Sequence, residues 1–207
     1  MNRPAIAMPS GAAPPKWPDQ LAQLHATARA NAPDLPLVLS GACGGGPEGL
    51  AALDPVADDN VIWSFHSYFP FLFTRHGAKW TGSLATVLPH LPYPPTLLTR
   101  QTALELARDA SRFAAAQNID TDPPATEANL INSFSDYRAH EDGRVSEAAQ
   151  IAADWADAHQ IAHSRLLLGE FGAMQPPDDT AQDQASRLRF LRAKSLSAQS
   201  LGIGWAV

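Results

Sequence analysis

The apolar positions of this chain fall into short unbroken runs separated by longer amphipathic stretches. Leu37-Val38-Leu39-Ser40 and Val61-Ile62-Trp63-Ser64-Phe65-His66 are runs of this kind, as is Arg165 to Phe171. Such runs predict strands buried on both faces. Gly202 to Val207 predicts the start of a fourth. Between the runs the period becomes helical. Trp17, Leu21, Leu24 and Ala28 share one face of a helix with Asp19 in its first turn, stopped by Pro33 and Pro36. Leu106, Ala110, Phe113 and Gln117 mark a helix over Thr102 to Gln117, broken at Thr121 to Pro124. Val145, Ala148, Ala152 and Trp155 mark another over Arg144 to Gln160, and Gln184 to Gln199 forms the last. Alternating strands and helices, with near-continuous apolar strands, predict a parallel α/β fold without internal repeats.

The intervening loops differ in character. Ala5 to Pro15 is rich in Pro, Ala and Gly, Gly41 to Pro47 is glycine-rich, and Gln175 to Asp179 is polar. Residues 67–100 are aromatic and proline-rich, with Tyr68, Phe69, Phe71, Phe73, Trp80 and Tyr93. A segment this long without elements of its own predicts a functional role.

Composition narrows the classes. The 207 residues, 45% apolar and 17% charged, fit one folded domain spanning 1–207. The net charge of -6 and the lack of a basic stripe exclude nucleic acid as a partner; the densest basic run, Arg187 to Lys194, is spread around a helix. No apolar run reaches the ~20 residues that span a bilayer, so no membrane partner is expected. Met1 to Pro15 carries one charge and no apolar core, so no secretory signal is expected within it. Cys43 is the one cysteine, which rules out an internal disulfide and a multi-thiolate metal site. His159 and His163 straddle a helix end without a nearby carboxylate and read as surface residues. Gly44-Gly45-Gly46 lacks the Lys-Ser/Thr of a phosphate loop and runs into no clear helix. No cofactor or metal is expected.

Glu170 is the first candidate for chemistry. It closes an apolar strand between Gly169 and Gly172, with no Lys or Arg beside it in sequence. Strand ends form the active face of α/β barrels, and a buried carboxylate without a use is costly. The residues alone leave two readings, a catalytic carboxylate or a structural Glu paired with a distant Arg. His66 and Tyr68 follow another apolar run at i, i+2, which places both side chains on one face of an extended segment. The two strand ends are expected to face one pocket.

With these pieces in order, the chain resembles glycoside hydrolase family 5, the cellulase-type (β/α)₈ barrels, over nearly its whole length. Asn60 to Trp80 is similar to the family's strand-six segment, in which a His-x-Tyr precedes a loop of the form P-x-x-F-T-x-x-G-A-x-W. Leu168 to Gly172 (LGEFG) is similar to the strand-seven nucleophile motif, and Gly202 to Val207 resembles the approach to strand eight. The resemblance implies a partial TIM (β/α)₈ barrel, from the end of strand four to the start of strand eight. It assigns Glu170 as the nucleophile of a retaining hydrolase, His66 to the catalytic pair or the sugar, and Tyr68 to holding the carboxylate. Trp80 and its aromatic neighbours are expected to line the cleft.

The departure lies at Met1-Asn2-Arg3-Pro4. Family members carry Asn-Glu-Pro there, with the Glu as acid/base. Asn2 is kept as a substrate-binding residue, but Arg3 stands in the acid/base position, and a guanidinium with a pKa above ~12 cannot donate a proton near neutral pH. The expectation is a single truncated catalytic domain acting on, or descended from an enzyme acting on, a β-linked glucan. The alternative is a non-catalytic barrel remnant that binds glycan weakly or does not fold independently. Self-association through exposed barrel edges is expected. Export is expected of a full-length parent, because its polymer lies outside the cell.

Overall fold

The computed structural model describes residues 17–78, 80–81, 87–88, 90–117, 122–139, 142–175 and 179–207. Its elements run α1 (Trp17–Asn31), β1 (Leu37–Ser40), α2 (Pro47–Ala51), β2 (Val61–His66), α3 (Phe71–Thr74), α4 (Arg100–Ala116), α5 (Pro123–Ala139), α6 (Glu147–Ala158), β3 (Leu166–Glu170), α7 (Ala181–Ser200) and β4 (Gly204–Trp205). They gather into two compact units. Residues 17–67, Ser146–Phe171 and Lys194–Val207 form the first; Tyr68–Val145 and Gly172–Ala193 form the second.

The first unit is built on one parallel sheet of order β1-β2-β3-β4. In β2, Val61, Trp63 and Phe65 are all buried, as the unbroken apolar run predicts. The same expectation fails at the two edges, where Val38 of β1 is 56% exposed and Trp205 of β4 46%. An edge strand has one neighbour, so its apolar residues are covered on fewer sides. Helix α6 packs against α2 and β3 through a face of small residues, Ala149, Ala152, Ala153 and Ala156. Trp155 on that face meets Trp63 edge-on at 5.2 Å between ring centres and donates its indole N–H to the Leu53 carbonyl at 2.8 Å.

Charge fastens the N-terminal ends of the strands. Asp58, just before β2, accepts hydrogen bonds from Arg29 Nε and His25 Nε2 of α1, each at 2.6 Å, and from the Asn60 amide at 2.8 Å. Arg29 also reaches the Asn60 carbonyl at 2.9 Å. Arg165, which precedes β3 and does not belong to it, donates to the Val61 carbonyl, the Asp58 carbonyl and the Asp59 carboxylate at 3.0, 2.6 and 3.0 Å. His163 is likewise tied down, contrary to the surface reading. Its Nδ1 donates to the Leu201 carbonyl and its Nε2 lies 2.9 Å from Asp157.

The second unit is helical. Phe73, Tyr93 and Phe190 form an aromatic triangle with ring centres 5.1 to 5.4 Å apart, surrounded by Leu88, Leu91, Leu98, Leu130 and Phe134. Much of the aromatic loop is therefore core. Helix α5 does not appear in the sequence reading, which took Thr121 to Pro124 as a break. Prolines fit the first turn of a helix, whose N–H groups lack intrahelical partners, so Pro123 and Pro124 start α5. Thr126, Leu130, Phe134 and Tyr137 then line its buried face. Thr180 and Asp183 cap α7 reciprocally: the Thr180 amide donates to Asp183 Oδ2 at 2.9 Å and the Asp183 amide to Thr180 Oγ1 at 3.2 Å.

The Arg29 guanidinium, the His25 ring and the Asn60 amide hold the Asp58 carboxyl far below the usual carboxylate range. A carboxylate whose pKa falls on folding stabilises the fold above its ordinary pKa of about 3.9, and this contribution is lost as the pH drops further. Asp58→Asn is accordingly expected to lower the urea midpoint at pH 7. The difference from the unsubstituted chain should shrink between pH 4 and pH 2. A difference that stays constant over that range would show that Asp58 acts through shape alone.

Candidate active site

The site begins with a flaw in the β2–β3 ladder. Trp63, Ser64 and Phe65 pair in order with Leu166, Leu167 and Leu168, but His66 pairs with Glu170. Gly169 is the extra residue, a bulge in β3. Without it the alternation of side chains would set Gly169 opposite His66 and turn Glu170 away. Glycine suits this position, because a Cβ here would lie 2.4 Å from Ser64 Oγ and would force the serine hydroxyl aside. Beyond the bulge the ladder resumes, with the Ser67 amide donating to the Glu170 carbonyl at 2.9 Å.

The bulge brings together two of the residues singled out in the sequence. His66 Nδ1 lies 3.3 Å from Glu170 Oε2 and 3.1 Å from the Gly44 carbonyl. Both neighbours are acceptors, so Nδ1 carries the hydrogen. Glu170 is not buried as expected: its side chain is 54% exposed, whereas that of His66 is 25% exposed. A histidine is among its partners. The glycine loop seats the imidazole. Gly45 has φ +73°, and a Cβ on it would stand 2.9 Å from His66 Nδ1. This loop does run into a helix, the five-residue α2, correcting the sequence reading. Trp17, Ser40 and residues 41–45 line an open pocket of about 330 Å³ beside it.

Tyr68 and Trp80 are brought together in the second unit. With Thr74, Arg75, Gly172, Ala173 and Met174 they line an open, mostly apolar pocket of about 430 Å³, a size that suits a small ligand. Trp80 is 69% exposed. The neighbouring aromatics divide: Phe71 is exposed, but Phe73 and Tyr93 are core residues and line no cleft. The Thr74 carbonyl accepts from the Met174 amide at 2.9 Å, which closes the pocket wall. Asn2, Arg3 and Pro4 lie outside the described residues. Among those described, no group of three or more His, Cys, Asp or Glu is placed to hold a metal, and no helix is long and apolar enough to cross a membrane.

A further polar residue near the site escaped the sequence reading. Lys194 of α7 is 1% exposed and donates from Nζ to Ser67 Oγ at 2.6 Å, directly after the His66 position. It belongs to the basic run that was read as spread around a helix. The signal was its spacing, for Phe190, Lys194 and Ala198 stand four apart and all are buried.

A carboxylate and an imidazole thus stand at adjacent strand ends of a parallel sheet, and the fold is α/β, a partial (β/α)₈ barrel. No protein-family model matches the chain. It is similar to Endoglucanase 3 of Fibrobacter succinogenes, 25% identical over 157 residues, which are 75% of this chain and 20% of that protein. Among solved structures it superposes on an endoglucanase with a TM-score of 0.61 and 17% identity, covering 92% of this chain and 45% of the other. It superposes on Cel5A of Thermotoga maritima, solved in complex with cellobiose, with a TM-score of 0.55 and 19% identity, covering 92% and 46%. The chain thus spans about half the length of these structures and a fifth of the curated relative. The resemblance to cellulase-type barrels read from the motifs holds.

Lys194 supplies a test of the site's foundation. Burial pushes its pKa down to about 8. A lysine whose pKa falls on folding costs stability below that value, on the order of 3 kcal/mol here. The cost fades as the pH rises from about 8 towards the ordinary value of about 10.4. Lys194→Met is therefore expected to melt at a higher temperature than the unsubstituted chain at pH 7, with the two converging near pH 10. Calorimetry that found the variant less stable at pH 7 would mean that the hydrogen bond to Ser67 outweighs the burial of charge.

Proposed function

We propose that this chain carries the nucleophile side of a retaining β-glucan hydrolase site and lacks a competent acid/base. The observation behind this reading is Glu170, a half-exposed carboxylate at the C-terminal end of a parallel strand, with the His66 imidazole 3.3 Å away. In such a site Glu170 attacks the anomeric carbon as the bond to the leaving oxygen breaks, and the sugar is held as an ester. Water then attacks the same carbon and releases the carboxylate. A second carboxyl, ~5 Å from the first, protonates the leaving oxygen and later activates the water. Arg3 occupies that position by resemblance and cannot do either task.

The remaining assignments follow the same reading. His66 donates towards the carboxylate and keeps it oriented. The resemblance assigns Asn2 to the substrate and Tyr68 to tuning the nucleophile, and Trp80 offers an aromatic face to a sugar ring. The β-linked, cellulose-like substrate is supported by relatives described as endoglucanases and by the cellobiose complex of one of them. The edges at β1 and β4, with Val38 and Trp205 exposed, support self-association of the chain.

An aryl β-cellobioside with a good leaving group needs little protonation and separates the two carboxyl roles. The expected result is one burst of aryl alcohol per chain, slow release afterwards, and almost no hydrolysis of carboxymethyl-cellulose. Glu170→Gln should remove the burst. Arg3→Glu should raise polymer hydrolysis by about 10²–10⁴, the usual worth of a general acid. Steady hydrolysis that survives Glu170→Gln would sink the proposal. Glycan binding with no burst at all would favour the alternative of a non-catalytic remnant, which Arg3 already motivates.

A further inference from the structure

The pocket of the second unit contains a cation that the proposed hydrolysis does not use. Arg75 follows α3 and lines the pocket with Tyr68, Thr74, Trp80, Ala173 and Met174. Its guanidinium carbon lies 4.4 Å from the centre of the Phe71 ring and 5.8 Å from that of Trp80. Contact with two aromatic faces fixes the guanidinium and leaves its N–H groups as donors. Among the described residues no carboxylate pairs with Arg75, and none of the residues lining the pocket is acidic. A neutral glycan requires no such group. A fixed cation in a mostly apolar pocket, on a chain of net charge -6, discriminates by charge.

We propose that this pocket takes a sugar unit bearing a carboxylate, a uronate within a β-linked glycan, with the sugar ring against Trp80 and the carboxylate on the Arg75 guanidinium. The proposal rests on the saccharide reading above and adds the class of substrate. The planar fork of an arginine matches a carboxylate with two parallel hydrogen bonds, and the exposed indole suits the apolar face of a pyranose.

Calorimetric titration of the full chain tests this with three probes: cellobiose, its uronate counterpart and inorganic phosphate. At low salt the uronate should bind about tenfold tighter than cellobiose, and phosphate alone should bind more weakly than either. Raising the ionic strength should narrow the gap, because an exposed ion pair is screened. Arg75→Gln should abolish the difference between the two sugars. The salt dependence is read on the unsubstituted chain and does not depend on how the variant folds. Equal affinity for the two sugars would overturn the proposal, as would a preference that persists in Arg75→Gln or phosphate binding as tight as the uronate. Any of these with cellobiose still bound leaves the saccharide reading intact. Failure of both sugars to bind overturns both.

Discussion

The pairing of β2 with β3 is the constraint on which the rest of this site depends. Parallel strands repeat their side-chain directions every second residue, so a single extra residue redirects everything beyond it. Gly169 is that residue. It is tolerated because it lacks the Cβ that would strike Ser64, and its effect is to set Glu170 opposite His66. The ladder is then closed again by the Ser67 amide, on a serine whose hydroxyl is held by the buried Lys194. An ammonium withdrawn from water behind a strand end is an expensive fastening. It also leaves Ser67 little freedom to move.

Much of this architecture was legible in the sequence, and the misses have physical causes. The apolar runs located all four strands because a central parallel strand has little choice but to be apolar. Their edges were misjudged because exposure depends on how many neighbours a strand has, which β1 and β4 do not reveal by composition. Helix α5 was hidden by Pro123 and Pro124, whose meaning reverses between the start of a helix and its middle. The aromatic segment after β2 was singled out as a whole, but its residues are of two kinds. Phe73 and Tyr93 build a core, and Tyr68 and Trp80 line a pocket, a division that depends on packing and not on residue type. The strand ends at His66 and Glu170 were expected to face one pocket; the structure sets the two side chains 3.3 Å apart. The bulge that joins them, and the burial of Lys194, needed the pairing register and the helix face.

The chemistry available is uneven. A carboxylate with an imidazole beside it closes two neighbouring strands, and an aromatic pocket lined by one arginine stands in the second unit. On the proposed reading, Arg3 stands where a group that supplies and accepts protons would be, and a guanidinium does neither. Attack by a carboxylate and departure of an alkoxide are separable demands, and a leaving group that is already acidic removes the second. On the proposed reading, turnover therefore depends on the substrate's leaving group as much as on the chain's own residues.

The charged fastening around Asp58, Arg29 and Arg165 lies before β2 and β3, whereas His66 and Glu170 close the same two strands. Anchorage and chemistry are thus kept about one strand length apart. A sheet tied from below can have its upper loops lengthened, recharged or stripped of a catalytic group with little effect on whether it folds. The ends that carry His66 and Glu170 can thus change without rebuilding the scaffold beneath them.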